Sequence, residues 1–151
     1  MEDGIGSLYY CTTEGQNCSE IREVGYYVID ESLGYYVCQA LSDEISCHKA
    51  SFGSTCESLN DVGKIIYASN KISLCLNYNE GATIQPSIEL NASNSGNYVL
   101  PRGNDNVFGL EENQYAIINV KDRIISLNNN CKLSFKFYWS YNILFFFFLL
   151  L

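Results

Sequence analysis

The spacing of the cysteines constrains this chain more than any other feature of its sequence. Two stretches, Cys18–Cys38 and Cys56–Cys75, share one pattern. In each, a glycine falls seven positions after the first cysteine and is preceded by valine, and a closing cysteine follows 13 positions later in the first copy and 12 in the second. The two copies are 37 to 38 residues apart. Internal repetition at such a period is typical of proteins assembled from small supersecondary units that bury their apolar faces against one another. We therefore predict tandem repeats.

The same cysteines predict disulfide bonds. Seven cysteines in 151 residues is a high count, and such thiols are kept reduced in the cytosol, so the pattern indicates an oxidising compartment. Each repeat, with its leading cysteine, holds three. If all six pair, at least one bridge must join the two repeats, and a loop of this size would contribute about 3 kcal/mol. Six thiols allow 15 connectivities, which the sequence leaves open. The disulfide candidates are Cys11, Cys18, Cys38, Cys47, Cys56 and Cys75, with Cys131 outside the framework.

Short aromatic and β-branched runs around small polar turns predict β-hairpins. The predicted strand pairs are 26–29 with 35–37, 65–67 with 72–74, and 117–120 with 124–127. Each strand is too short for an isolated hairpin to be stable. The predicted fold is mostly β, with disulfide-linked tandem hairpin repeats in an irregular, solenoid-like arrangement. Its segments are a first repeat at 8–38, a second at 39–75, a degenerate region without cysteines at 76–128, and an apolar tail at 129–151.

The sequence carries no catalytic or metal-binding motif. Zinc sites usually contain close cysteine pairs, and the C-x-x-C spacing does not occur here. The single histidine, His48, follows Cys47, and adjacent residues on a strand point to opposite faces. A net charge of −8 also disfavours contact with nucleic-acid phosphates. We predict a protein that is not an enzyme, has no cofactor or metal, and does not bind nucleic acid.

Paired tyrosines suggest where a partner binds. Strand alternation places one member of each pair inward and its neighbour outward. The outward members of Tyr26, Tyr27, Tyr35 and Tyr36 are the predicted contacts, because tyrosine offers an apolar face and a polar edge. The same side chains could instead form a stacking platform for polysaccharide.

Other local signals concern location. The sequons at Asn17 and Asn91 are glycosylation candidates and agree with an extracellular or cell-surface protein. The acidic start of the chain does not resemble a signal peptide, which in a secreted protein predicts either an incomplete chain, part of a larger parent protein, or an incorrectly predicted start. The uninterrupted apolar run 143–151 is shorter than the about 20 residues that a spanning helix needs. We interpret it either as a truncated anchor that contacts a membrane or as a gene-model artefact.

The repeat resembles those of scaffoldins from the cellulosomes of anaerobic gut fungi. The matching residues are Cys18, Val24–Val28 and Gly34–Cys38, with a weaker second copy at Cys56, Val62–Ile66 and Cys75. The resemblance covers residues 8 to 128 and departs from the family in the short chain and the cysteine-free third unit. It implies a non-catalytic scaffold repeat at the cell surface that binds dockerin-bearing, plant-cell-wall-degrading enzymes. The alternative is a carbohydrate-binding or adhesive module.

Overall fold

A computed structural model describes residues 7–13, 15–30, 34–77, 87–140 and 143–150. Strands dominate this part of the chain, and it contains no α-helix. Two short 3₁₀ turns, Leu59–Asp61 and Ala92–Asn94, interrupt the strands. The strands are β1 (Tyr9–Thr13), β2 (Gln16–Glu20), β3 (Gly25–Asp30), β4 (Gly34–Leu41), β5 (Glu44–Ala50), β6 (Ile65–Ala68), β7 (Lys71–Cys75), β8 (Ser87–Glu89), β9 (Gly96–Pro101), β10 (Gln114–Lys121), β11 (Ile124–Ser140) and β12 (Ile143–Leu150).

The strands form three antiparallel sheets. The largest has the order β5-β4-β3-β11-β10-β9, with β12 added to the far part of β11. A second sheet has the order β6-β7-β8, and β1 and β2 form a separate hairpin. The join between β3 and β11 is short: Tyr27, Tyr26 and Gly25 pair with Ile124, Ile125 and Ser126.

The mostly β, disulfide-bonded class and the three predicted hairpins are confirmed. They are β3–β4, β6–β7 and β10–β11, in the runs where β-branched and aromatic residues cluster. The structure does not show the solenoid-like succession of units. Strand β3 from the first predicted repeat lies beside β11 from the cysteine-free region, so distant segments share one sheet.

The main hydrophobic core lies between one face of the large sheet and the β6–β8 sheet. Alternate residues of the central strands point into it, among them Tyr26, Ile118 and Ile125, and they meet Ile65 and Leu74 from the smaller sheet. Ile118, Ile125, Ile65 and Leu74 are fully buried. One core therefore serves strands from all three predicted segments.

A smaller cluster covers the opposite face of β3 and β4. Tyr27 packs there against Cys38 and Cys47. The chain around the β1–β2 hairpin contributes Leu8 and Ile21, whose backbones are joined by a hydrogen bond of 2.7 Å from the Ile21 N–H to the Leu8 carbonyl. The large sheet is thus covered on both faces where β3 and β4 run.

The C-terminal tail continues the large sheet as strand. Strand β11 bulges where Ile117 faces residues 128–131, and beyond this Leu133–Ser140 pair with β12. No helix among the described residues is long and apolar enough to span a membrane. The side chains of Cys131 and of the apolar run lie outside the described part, so the two interpretations of the tail stay predictions.

Candidate functional site

All six cysteines predicted to pair do so, which confirms the expectation of disulfide bonds. Cys11–Cys18 and Cys38–Cys47 each link directly opposite residues of a hairpin, with Cα atoms 4.0 and 4.1 Å apart. Cys56–Cys75 ties the segment before the 59–61 turn to the end of β7, with Cα atoms 5.6 Å apart. The Cys38–Cys47 bridge joins segment 8–38 to segment 39–75, as the odd number of cysteines in each segment requires.

The two sequence repeats are not equivalent in their pairing. In the second copy the first and last cysteines bond to each other, whereas in the first copy Cys18 and Cys38 bond to cysteines outside the copy. The aligned glycines also differ. Gly25 lies in a strand where a Cβ atom would overlap the carbonyl oxygen of Ile125, while Gly63 occupies a turn with φ of 80°. The shared spacing therefore serves two different local structures.

The tyrosines named as candidate contacts are mostly buried, which leaves little of their surface to a partner, and partner contact through their outward members stays a prediction. Tyr26, Tyr27 and Tyr35 are 2, 5 and 3% exposed, and Tyr36 is partly buried. Alternation does separate Tyr26 from Tyr27, but the outward face is itself covered by the Cys38–Cys47 cluster. Burial raises the pKa of all three buried phenols, that of Tyr27 to about 12.

The aromatic side chain that does reach the surface beside this core is Tyr67. Phe108, Tyr26, Tyr35, Phe52 and Tyr67 form a row in which successive ring centroids lie 5.7 to 6.1 Å apart. The row begins in the core and ends at Tyr67, which is 41% exposed and packs its ring 5.8 Å from that of Phe52. Sequence reasoning missed this residue as a candidate contact. The available signal was its position as the last residue of the predicted strand 65–67, since the end of a strand is close to the surface.

An open groove of about 1190 Å³ lies in the described part of the structure. It lies next to the first residue of β3, where the neighbouring antiparallel strands β4 and β11 extend past the end of β3. Apolar and amide side chains dominate its lining. The lining residues are Arg22, Glu23, Val24, Gln39, Ala40, Leu41, Ile45, Asn106, Val107, Phe108, Gly109, Asn119, Ser126, Leu127, Asn128 and Lys132.

Hydrogen bonds hold the loop that forms one wall of the groove. The Gln39 side-chain amide donates to the Asp105 carbonyl at 3.2 Å, and the Lys132 ammonium donates to the Gly109 carbonyl at 3.0 Å. Within the loop, the Asn106 side chain accepts from the Leu110 N–H and donates to the Leu110 carbonyl. The wall is therefore pre-formed, which reduces the ordering cost of binding.

Three charged residues line the groove, Arg22, Glu23 and Lys132. Arg22 is largely exposed and forms a 3.0 Å ion pair with Glu20.

The candidate catalytic pair is separated by the strand: Cys47 is buried while His48 beside it is exposed, as strand alternation predicts. The described residues contain no group of three or more side chains suited to a metal ion. Absence of catalysis, cofactor and metal stays a prediction.

The two glycosylation candidates differ in environment. Asn17 is exposed on β2 with φ of 56°. Asn91 is partly buried, and its side-chain oxygen accepts a hydrogen bond of 3.1 Å from the Asn94 N–H at the start of a 3₁₀ turn. Asn17 is therefore the more accessible acceptor, and glycosylation itself stays a prediction.

Fold and surface together define a mostly β, disulfide-crosslinked protein whose described part includes a pre-formed groove beside its central strands. No protein-family model, curated protein or solved structure matches the chain. The scaffoldin resemblance stays a hypothesis that rests on the sequence motifs.

Proposed function

We propose that the protein is a non-catalytic, extracellular scaffold module that binds dockerin-bearing enzymes that degrade plant cell walls. The pre-formed groove is the observation that supports a binding role most directly. Its lining combines apolar residues, which include Val107 and Phe108, with amide and charged side chains. Surfaces that bind other molecules commonly combine these features.

Three disulfides in a small β protein are compatible with an extracellular location. The protein carries a net charge of −8, yet the groove lining holds two basic residues, Arg22 and Lys132, against one acidic residue, Glu23. A partner segment with acidic groups would find a small excess of positive charge there. Such complementarity improves specificity and association rate more than affinity.

Scaffolding requires no chemistry from the module. Several modules on one parent chain would hold their enzymes close together, and the effective concentration set by the connecting segments would raise avidity. The sequence resemblance supplies the identity of the partner in this proposal.

The test is a binding titration of isolated fungal dockerin domains against the protein with its disulfides intact. Leu41 is 54% exposed at the groove, and Val99 is 51% exposed on edge strand β9. We expect Leu41→Ala to weaken dockerin binding by about tenfold or more, because it removes an apolar contact at the groove, and Val99→Ala to leave it within about twofold. Failure of the wild-type protein to bind any dockerin would overturn the proposal.

The exposed end of the aromatic row favours carbohydrate binding as a second candidate function. Tyr67 presents part of its ring to solvent and is supported by Phe52, and such rings can stack on sugars. Retention on cellulose or xylan that is lost in Tyr67→Ala, but kept in the control Tyr10→Ala, would support it. Cellulose retention without dockerin binding would replace the first candidate by the second.

A further inference from the structure

The large sheet contains a gap beside β3. Pairing of β3 stops at Gly25 on both sides, where it meets Cys38 of β4 and Ser126 of β11. Strand β4 nevertheless continues its pairing with β5 as far as Leu41, and β11 is paired with β10 at Leu127. Because β4 and β11 flank β3, they are held roughly 10 Å apart, or two strand spacings. Beyond Gly25 no strand is paired between β4 and β11, and the groove that opens there is lined by both neighbours and by Arg22, Glu23 and Val24.

The backbone of β4 directs hydrogen-bonding groups into this gap. Opposite residues of an antiparallel pair alternate between hydrogen-bonded pairs and closer pairs that are not hydrogen-bonded. The 4.1 Å Cα separation of Cys38 and Cys47 identifies them as a close pair, so the backbone groups of Cys38 turn toward Gly25. Two residues further along β4, the N–H and C=O of Ala40 point the same way, into the gap.

The opposite wall shows the same pattern. The Val28 N–H donates to the Arg123 carbonyl at 3.0 Å, which fixes the phase of the hydrogen bonds between β3 and β11. By alternation, Ile125 also bonds toward β3, and the backbone groups of Leu127, two residues on, face the gap.

Strand β9 provides an independent check of this phase. The same alternation, carried across β10, directs the backbone nitrogens of Val99 and Pro101 outward from the sheet edge. Proline has no N–H to donate and is tolerated at such outward edge positions. Pro101 occupies one of these outward positions, which agrees with the alternation of hydrogen bonds assigned to β9, β10 and β11.

A side-chain contact keeps Glu23 from pairing with β4 across this gap. If β3 continued, the Glu23 carbonyl would accept from the Ala40 N–H. Instead it accepts a hydrogen bond of 2.9 Å from the Tyr27 hydroxyl, on the other face of the sheet. Tyr27 is held in place by its packing in the Cys38–Cys47 cluster. The gap is thus maintained by the fold.

We propose that this gap receives an extended peptide segment of a partner protein, which pairs with Ala40 on one side and Leu127 on the other. The segment would run in the direction of β3, antiparallel to both walls, as in other cases of strand addition to a sheet. Its apolar side chains would alternate, one set facing Val107 and Phe108. Acidic residues between them would suit Arg22 and Lys132, which outnumber the single carboxylate of the groove lining, that of Glu23. The inference concerns the mode of binding and does not rest on the partner being a dockerin.

The probe is a fluorescently labelled, end-blocked peptide of alternating valine and glutamate, titrated against the intact protein. A matched peptide carries N-methyl groups on alternate amides, which removes backbone donors and keeps the side chains. We expect saturable binding of the first peptide and about tenfold weaker binding of the second, because its methylated amides cannot donate hydrogen bonds to the walls. Ala40→Pro removes one wall donor and should weaken binding by about fivefold or more. Val99→Pro, at an outward edge position remote from the gap, should leave it unchanged.

Circular dichroism checks that both proline variants fold, and amide exchange in the wild-type protein gives a reading that needs no variant. The amides of Ala40 and Leu127 should gain protection on peptide binding. The inference is overturned by absence of saturable binding, by equal binding of the two peptides, or by equal losses in the two proline variants. Dockerin binding that survives Ala40→Pro would leave the proposed function intact and assign the dockerin to another surface.

Discussion

Removing the buried disulfide should destabilise the protein more than removing an exposed one that closes a loop of similar size. Cys38–Cys47 spans nine positions and Cys11–Cys18 spans seven. Chain-entropy estimates for the two closures are about 2.6 and about 2.4 kcal/mol, so this contribution nearly cancels in the comparison. The environments differ: Cys38 and Cys47 are buried beside Tyr27, whereas Cys11 and Cys18 are exposed.

The difference between the two double alanine variants therefore measures packing. Each buried sulfur removed from the cluster should cost about 1 kcal/mol in lost contacts and residual cavity. We expect C38A/C47A to lower the free energy of unfolding by about 4 to 5 kcal/mol. C11A/C18A should lower it by about 2.4 kcal/mol at most.

Urea unfolding followed by far-ultraviolet circular dichroism gives both values under the same conditions. Both variants should show a steeper dependence on urea, because an uncrosslinked chain exposes more surface when it unfolds. Equal losses in the two variants, or a larger loss in C11A/C18A, would refute the argument that the second face of β3 and β4 is a packed cluster.

Three further outcomes follow from the described contacts. Gly25→Ala should prevent close approach of β3 and β11, since its Cβ would overlap the Ile125 carbonyl, and we expect a loss of more than about 3 kcal/mol by thermal unfolding. Under mild reductant, the exposed Cys11–Cys18 bridge should open first, as mass spectrometry of alkylated thiols would show; earlier opening of the buried Cys38–Cys47 bridge would contradict this. Burial raises the pKa of Tyr27 to about 12, so its contribution to stability is complete below about pH 10 and is lost as the pH rises to 12. The urea midpoint should fall across that window, less so in Tyr27→Phe.

The strand positions could be predicted because they depend on local pattern. Alternating aromatic and β-branched residues located both strands of each predicted hairpin. One disulfide was also within reach of sequence reasoning, since Cys38 and Cys47 lie equally far from the Ser42–Asp43 turn. Opposite cysteines in a hairpin can bond when their Cα atoms are this close.

The rest depended on contacts between distant segments. Alternation correctly placed Tyr26 and Tyr27 on opposite faces, but no local signal indicates that residues near β1 and β2 cover the second face. The groove arises because β3 stops pairing at Gly25 while its neighbours continue. Neither the pairing of β3 with β11 nor the end of that pairing is encoded in a local motif.

The contact between β3 and β11 has a consequence for how proteins of this kind can be enlarged or divided. Ile125 pairs with Tyr26 although about one hundred positions separate them along the chain. Cutting between the two sequence copies would leave a central strand exposed as an edge, which invites association with other chains. A duplicated segment that folds by itself would have to include the whole span from Cys11 to β11. The folding unit is therefore about three times longer than the spacing between the two cysteine copies.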